Sequence, residues 1–118
     1  MKIKQTKFNA YLKINLNTLV RNYLYLKKYI NNKEVAASVK ADAYGLGSNK
    51  IIKSLIQSGC KSYFVASIEE SLSIRKIDET IDIYLLNGID SMLNLKMLIK
   101  NNITPVINHY TDLDLCKS

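Results

Sequence analysis

Short apolar runs alternate with helix-period segments along most of this chain, and that alternation restricts its fold more than any other feature. Residues 35–40, 63–66, 81–86 and 103–108 are each brief and largely apolar. Runs without a clear polar face suit the strands of a parallel sheet covered on both sides. Between them, Ile51, Ile52, Leu55 and Ile56 recur at helical spacing, with Ser48 or Asn49 as the expected cap and Gly59 as the stop. Ser67, with Glu70 three residues on, predicts a capping box opening a helix to about residue 77. Asp90 or Ser91 is expected to cap a helix carrying Met92, Leu93, Met97 and Leu98, and residues 111–118 begin one more. Pro105 is tolerable only near the start of its strand. Upstream, residues 10–16 alternate Tyr11, Lys13 and Asn15 against Leu12, Ile14 and Leu16, predicting a half-buried strand. Leu19, Tyr23, Leu26 and Ile30 predict a helix over about 18–30, ended by Asn31-Asn32.

The expected fold class is therefore α/β: an N-terminal strand and helix, then about four βα units, the last one cut short. Repeated βα order implies a parallel sheet with right-handed crossovers. An open doubly wound sheet and part of a (β/α)8 barrel both fit, and periodicity does not separate them.

Composition excludes several classes of function. No apolar run approaches the roughly 20 residues that span a bilayer, so no membrane role is expected. The basic N-terminus, Met1 to Lys7, has no apolar stretch behind it, so no secretory signal is read and the cytoplasm is the expected compartment. The net charge of +7 is diffuse: of 17 basic residues only Arg21 and Arg75 are arginines, and Lys27-Lys28 is the only adjacent pair of lysines. With abundant Lys, Asn and Ile this reads as codon bias, and no nucleic-acid partner is expected. Cys60 and Cys116 have no metal-like spacing and are expected to be free thiols. His109 is the only histidine, so no metal site is expected; packing or a loop hydrogen bond is its favoured role.

The chemistry concentrates in Ser38-Val39-Lys40-Ala41-Asp42-Ala43-Tyr44-Gly45-Leu46-Gly47. Lys40 stands at the C-terminal end of a predicted strand, where parallel α/β folds bind ligands. Ala36, Ala37 and Ser38 are small and leave space beside it. A dry setting disfavours the ammonium form, and a neutral amine is what imine formation with an aldehyde cofactor requires. Gly45 and Gly47 would let the backbone approach a ligand, and a helix beginning near Ser48 would offer its N-terminus to a phosphate. Tyr44 adds a phenolic donor. A solvated strand-end lysine followed by an ordinary glycine turn is the alternative reading of the same residues.

Residues 39–47 resemble the cofactor-lysine signature of the alanine racemases, barrel-type enzymes that use pyridoxal phosphate. The resemblance continues in order through the first strand and Asn22, residues 63–75, the apolar strand 82–88 ending in Gly88, and residues 103–108. It implies a partial (β/α)8 TIM barrel with Lys40 bonded covalently to pyridoxal 5′-phosphate and then serving as one of two proton-transfer bases, the one handling the α-proton of the D-enantiomer. It implies that Tyr44 hydrogen-bonds the cofactor phosphate and that Val39 and Leu86 pack near the cofactor. Leu46 stands where the family usually places His. Glu69, Glu70 and Arg75 match the family pattern but read as helix cap and surface charge.

The resemblance also implies what a complete enzyme would add. A (β/α)8 barrel takes roughly 250 residues, so 118 are read as an incomplete N-terminal portion of the barrel domain, without the family's C-terminal β domain. The second base, a tyrosine given across a homodimer interface, and the arginine facing the pyridine nitrogen are expected elsewhere. A separate C-terminal fragment could complement the chain. The implied activity is interconversion of L- and D-alanine for peptidoglycan synthesis. The chain alone is expected to be inactive and prone to association through its open edges. A non-catalytic pyridoxal-phosphate protein of cofactor homeostasis on the same barrel, or a racemase of another amino acid, are the competing readings. A nucleotide-binding module would want a third glycine that the run from Gly45 to Lys50 lacks.

Overall fold

The computed structural model describes residues 10–118; the reading of the basic N-terminus falls outside them. Four parallel strands lie in the order β1-β2-β3-β4, where β1 is Ala37–Ser38, β2 Ser62–Val65, β3 Asp82–Leu85 and β4 Ile103–Pro105. The helices are α1 (Leu16–Tyr29), the short turn α2 (Lys40–Gly45), α3 (Ser48–Gln57), α4 (Ile68–Arg75), α5 (Met92–Lys100) and α6 (Tyr110–Lys117). Strands that follow one another in space as in sequence, joined by right-handed crossovers, place the intervening helices on one face. A doubly wound sheet reverses its order partway and is covered on both faces. The consecutive order is that of a barrel wall.

Burial agrees with one covered face. Tyr63, Val65, Ile83, Leu85 and Ile103 alternate along the strands and pack with Ile51, Ile52, Leu55, Ile74, Leu95 and Leu98 from the helices. Ser38, Phe64, Tyr84 and Thr104 form the row between them on the opposite, inner face, in register across all four strands. There the rings of Phe64 and Tyr84 stack with centroids 4.9 Å apart. Tyr23 brings α1 into the helix-side core.

Several local expectations hold for identifiable reasons. Ser67 and Glu70 make the full capping box of α4. Ser91, not Asp90, caps α5 by accepting from the Asn94 N–H at 3.2 Å. His109 caps α6, its Nδ1 accepting from the Thr111 N–H, so its role is a loop hydrogen bond.

Three expectations are corrected. Residues 10–15 form no strand: Asn15 instead caps α1, accepting from the Thr18 N–H at 3.1 Å, and Tyr11 and Leu12 are exposed. Alternation makes a strand only where a neighbouring strand takes up its backbone groups, and none lies beside this segment among the described residues. Pro105 closes β4 rather than opening it. The Val106 N–H donates to Leu85 at 2.8 Å, so the position without an N–H points to the unpaired side of the sheet, where a proline costs no ladder bond. Neither Ser48 nor Asn49 caps α3; Gly47 takes that position, with φ +89°.

Candidate functional site

Residues just beyond the strands meet along one rim of the sheet: Lys40, two positions after β1, then Ala66, Leu86 and Val106 directly after β2, β3 and β4. Extending the register two residues past Ser38↔Phe64↔Tyr84 sets Lys40 level with Ala66 and Leu86. The ladder bonds that carry it there are Val39 N–H to Phe64 and Leu86 N–H to Val65, at 2.9 and 2.8 Å. Lys40 and Leu86 are both half-buried, with the Phe64–Tyr84 stack one level below. Small Ala66 between them leaves room for a flat ligand. Val39 lies elsewhere. It is buried in the helix-side core, beside a largely apolar cleft of about 270 Å³ that Leu19, Tyr23 and Leu55 also line. Strand alternation puts Ser38, not Val39, on the face of Lys40.

The segment after Lys40 turns the wrong way for L-residues. Ala41, Asp42, Ala43 and Tyr44 have φ of 51° to 57° and ψ of 37° to 50°, one turn of left-handed helix. Each such residue costs roughly 1–2 kcal/mol against a right-handed one, so the turn persists only because its surroundings over-determine it. The Ala43 N–H donates to Val39, and that of Gly47 to Asp42, both at 2.9 Å. Asp42 Oδ1 accepts from the Ser48 N–H at 2.7 Å and from Ser48 Oγ at 2.8 Å. Ala43 is buried in the core, and Tyr44 Oη lies 3.1 Å from Ser38 Oγ. Ala41 N–H donates to Glu70 Oε1 at 2.7 Å.

These contacts revise the expected phosphate cradle. The N-terminus of α3 already holds an anion, the carboxylate of Asp42, so its first amide is taken by the protein itself. Among the described residues, Tyr44, exposed at the rim and hydrogen-bonded to Ser38, is the phenol nearest to Lys40 in sequence. The Ser48 bonds, the backbone one first, hold the Asp42 carboxyl below its ordinary value of 3.8. A carboxyl whose folded value is depressed stabilises the fold above its unfolded value and loses that contribution as pH falls through the folded one. The Ser48 amide is therefore expected to lose exchange protection as pH drops below about 3.8 in the parent. Asp42→Asn should remove that acid step, readable by NMR at this one amide.

At the far side of the rim, Asp112 is buried and accepts from the Asn108 and His109 N–H groups at 2.9 and 3.2 Å. Asn108 Nδ2 donates to the carbonyl of Leu86. Gly88 has φ +77°, and a Cβ there would stand 2.8 Å from Asp112 Oδ2. Gly88→Ala is expected to cost about 2–3 kcal/mol, the sum of backbone strain and a displaced helix cap. Urea unfolding measures it, with an unchanged m-value if the denatured state is unaffected.

Sequence reasoning assigned Glu70 to the helix cap and Arg75 to the surface. Glu70 does close the box, but it also reaches the backbone beside Lys40. Arg75 is half-buried and donates to five backbone carbonyls. Among the described residues no group of His, Cys, Asp and Glu is placed to hold a metal ion, and no helix is long and apolar enough to cross a membrane.

Residues 14–118 match the family described as alanine racemase, N-terminal domain. The alanine racemases of Rickettsia rickettsii and Rickettsia prowazekii are 40% and 39% identical to this chain over 105 residues, 88% of its length. The chain spans only 29% and 26% of those relatives. Among solved structures, the alanine racemase from Bartonella henselae with covalently bound pyridoxal phosphate superposes with a TM-score of 0.81 at 36% identity, covering 86% of this chain and 29% of that one. Biosynthetic alanine racemase from Pseudomonas aeruginosa shares the fold, with a TM-score of 0.80 at 24% identity over 86% of this chain and 28% of that one. Consecutive parallel strands, a lysine on the inner rim after the first of them and a match over residues 14–118 together make this chain a member of the alanine racemase N-terminal domain family.

Proposed function

We propose that this chain carries the cofactor lysine of a pyridoxal-phosphate-dependent racemase that interconverts L- and D-alanine. The observation that supports this most is the place of Lys40, on the inner rim at the register level of Ala66 and Leu86. The donor set suits one edge of the cofactor. An amine stands on the inner face, an aliphatic side chain shares its level to pack against a ring, and a phenol follows four residues on. The rest of a phosphate cradle would come from elsewhere in the whole protein.

When bound, pyridoxal 5′-phosphate supplies an electron-withdrawing ring that makes the α-proton of an attached amino acid labile. Lys40 Nζ would hold the cofactor and would take or return the α-proton of the D-enantiomer. Tyr44 Oη would donate to the phosphate, and Leu86 would pack against the ring. Val39 supports Lys40 from the helix-side core.

Racemisation needs a second base on the opposite face. Burial pushes the Tyr23 phenol up to about 12, with Cys60 adding to the effect, and raises that of Tyr63 further. Phenols held neutral in this way are poor proton acceptors. By the family resemblance, the second base would be a tyrosine from outside these residues, given across a homodimer interface or by a complementing fragment, and the chain alone would be inactive. The whole protein would work in the cytoplasm and supply D-alanine to peptidoglycan synthesis.

A chimera tests the reading. The matching segment of the Rickettsia rickettsii racemase is replaced by residues 14–118 of this chain, and alanine racemisation is followed by circular dichroism. Activity within about tenfold of the relative's is expected, since a tenfold change corresponds to only ~1.4 kcal/mol. A folded, dimeric chimera that binds pyridoxal phosphate but does not racemise alanine would sink the proposal.

A further inference from the structure

We propose that Glu70 is a positioning residue for Lys40, its carboxylate clamping the left-handed turn that starts at the lysine to the loop after the neighbouring strand. The inference rests on Lys40 being the cofactor lysine. Oε1 accepts from the Ala41 N–H at 2.7 Å, across 29 positions of sequence. Oε2 accepts from the N–H groups of Ala66 and Ser67 at 2.8 and 3.3 Å. Only the bond to Ser67 belongs to the capping box of α4. The bond to Ala41 adds nothing to that helix; it binds the peptide immediately after Lys40.

The location gives the clamp its meaning. By extension of the strand register Ala66 is level with Lys40, so a single carboxylate ties the peptide after the lysine to the backbone of the neighbouring strand end. A lysine side chain has four rotatable bonds, and its amine has a defined place only if its Cα–Cβ direction is fixed. That direction depends on the peptide joining Lys40 to Ala41, which enters an unfavourable backbone region at once. Asp42 and Tyr44 secure the far end of the turn through Ser48 and Ser38. Glu70 secures the end at the lysine.

Aspartate separates the clamp from the cap. Elsewhere in this chain Asp112, at the third position of α6, closes a capping box and also accepts from the preceding Asn108 N–H. Glu70→Asp should keep the corresponding bonds to Ser67 and Ala66 and fall short of Ala41 by the length of one methylene.

The test measures backbone amide exchange and covalent cofactor attachment in the full chain, comparing parent, Glu70→Asp and Glu70→Ala. Attachment is read as the Lys40 adduct trapped by borohydride at limiting pyridoxal phosphate and mapped by mass spectrometry. In Glu70→Asp, the Ala41 amide should exchange about tenfold faster, and the Lys40 adduct should fall about tenfold, as expected for losing one hydrogen bond to a charged group. The amides of the α4 box should stay as protected as in the parent. Glu70→Ala should lose both the clamp and the box. An unchanged Lys40 adduct in Glu70→Asp with a deprotected Ala41 amide would overturn the positioning role. So would a loss of protection throughout the chain, which would make Glu70 a residue of general stability. A parent chain that forms no adduct at Lys40 would instead remove the cofactor reading, and the inference with it, whatever the Ala41 amide does.

Discussion

Lys40→Ala is expected to abolish the borohydride-trapped pyridoxal phosphate adduct at this position and to lower racemisation by the chimera by about 10³-fold or more. The first effect is complete because an imine needs a primary amine, and alanine has none. The second is large because the same amine is proposed to carry the α-proton, and a positioned acid or base contributes roughly 10²–10⁴-fold. Stability should change little, since Lys40 is only half-buried at a strand end. Lys40→Arg is the sharper control. It keeps the positive charge and much of the side-chain volume, but a guanidinium stays protonated and forms no imine under these conditions. Total adduct that persists in Lys40→Ala, spread over other lysines at the parent's yield, would show that Lys40 is not singled out.

Arg75→Ala should be the most damaging substitution outside the core. Nε donates to Asn101 at 2.9 Å, Nη2 to Asn102 at 2.7 Å, and Nη1 to Ile81, Glu79 and Asp78 at 2.8, 3.0 and 3.3 Å. The guanidinium thus stitches the loop before β3 to the turn before β4, at the end of the sheet away from Lys40. Removing it leaves several carbonyls without their charged donor. The expected loss is roughly 3 kcal/mol, or a fall in Tm of roughly 10 °C for a domain of this size. Arg75→Lys should recover little, because an ammonium cannot reproduce the planar fork. Thermal unfolding of the two variants checks both statements. A change within about 0.5 kcal/mol, the range of ordinary surface substitutions, would return Arg75 to the surface role its sequence context suggests.

What could be read from the sequence divides along the range of the interactions involved. The capping box at Ser67 and Glu70 is a four-residue device, and the sequence contains all of it. The buried strands are legible because their apolar runs report burial directly. Residues 10–16 carry the right alternation, but a strand also needs a partner, and alternation says nothing about who the partner is. The two outermost bonds of Glu70 and Arg75 reach across 29 and 27 positions, beyond any local pattern. The left-handed turn was hidden for another reason. Ala41, Asp42 and Ala43 carry no glycine to announce a positive φ, and the restraints that hold them lie in Ser48, Glu70 and Ser38. Lys40 itself is legible through its place at a strand end and through the residues around it. Which of its neighbours share its face became clear only with the register, which favours Ser38 and Leu86 over Val39.

The turn after Lys40 is the mirror image of an ordinary helical turn, written in residues of the opposite hand. Glycine would relax it, but glycine would also remove what three of its members do with their side chains: Asp42 caps α3, Ala43 fills the core and Tyr44 reaches Ser38. Those positions need L-stereochemistry because inverting them would swing each side chain away from its partner. Ala41 is different. Its methyl is exposed, and its only hydrogen bond to a side chain is made by its backbone N–H. In a chemically synthesised chain, D-alanine at position 41 would suit the turn's handedness while leaving the clamp intact. The one residue of this turn that could itself be inverted is therefore the one that directly follows Lys40.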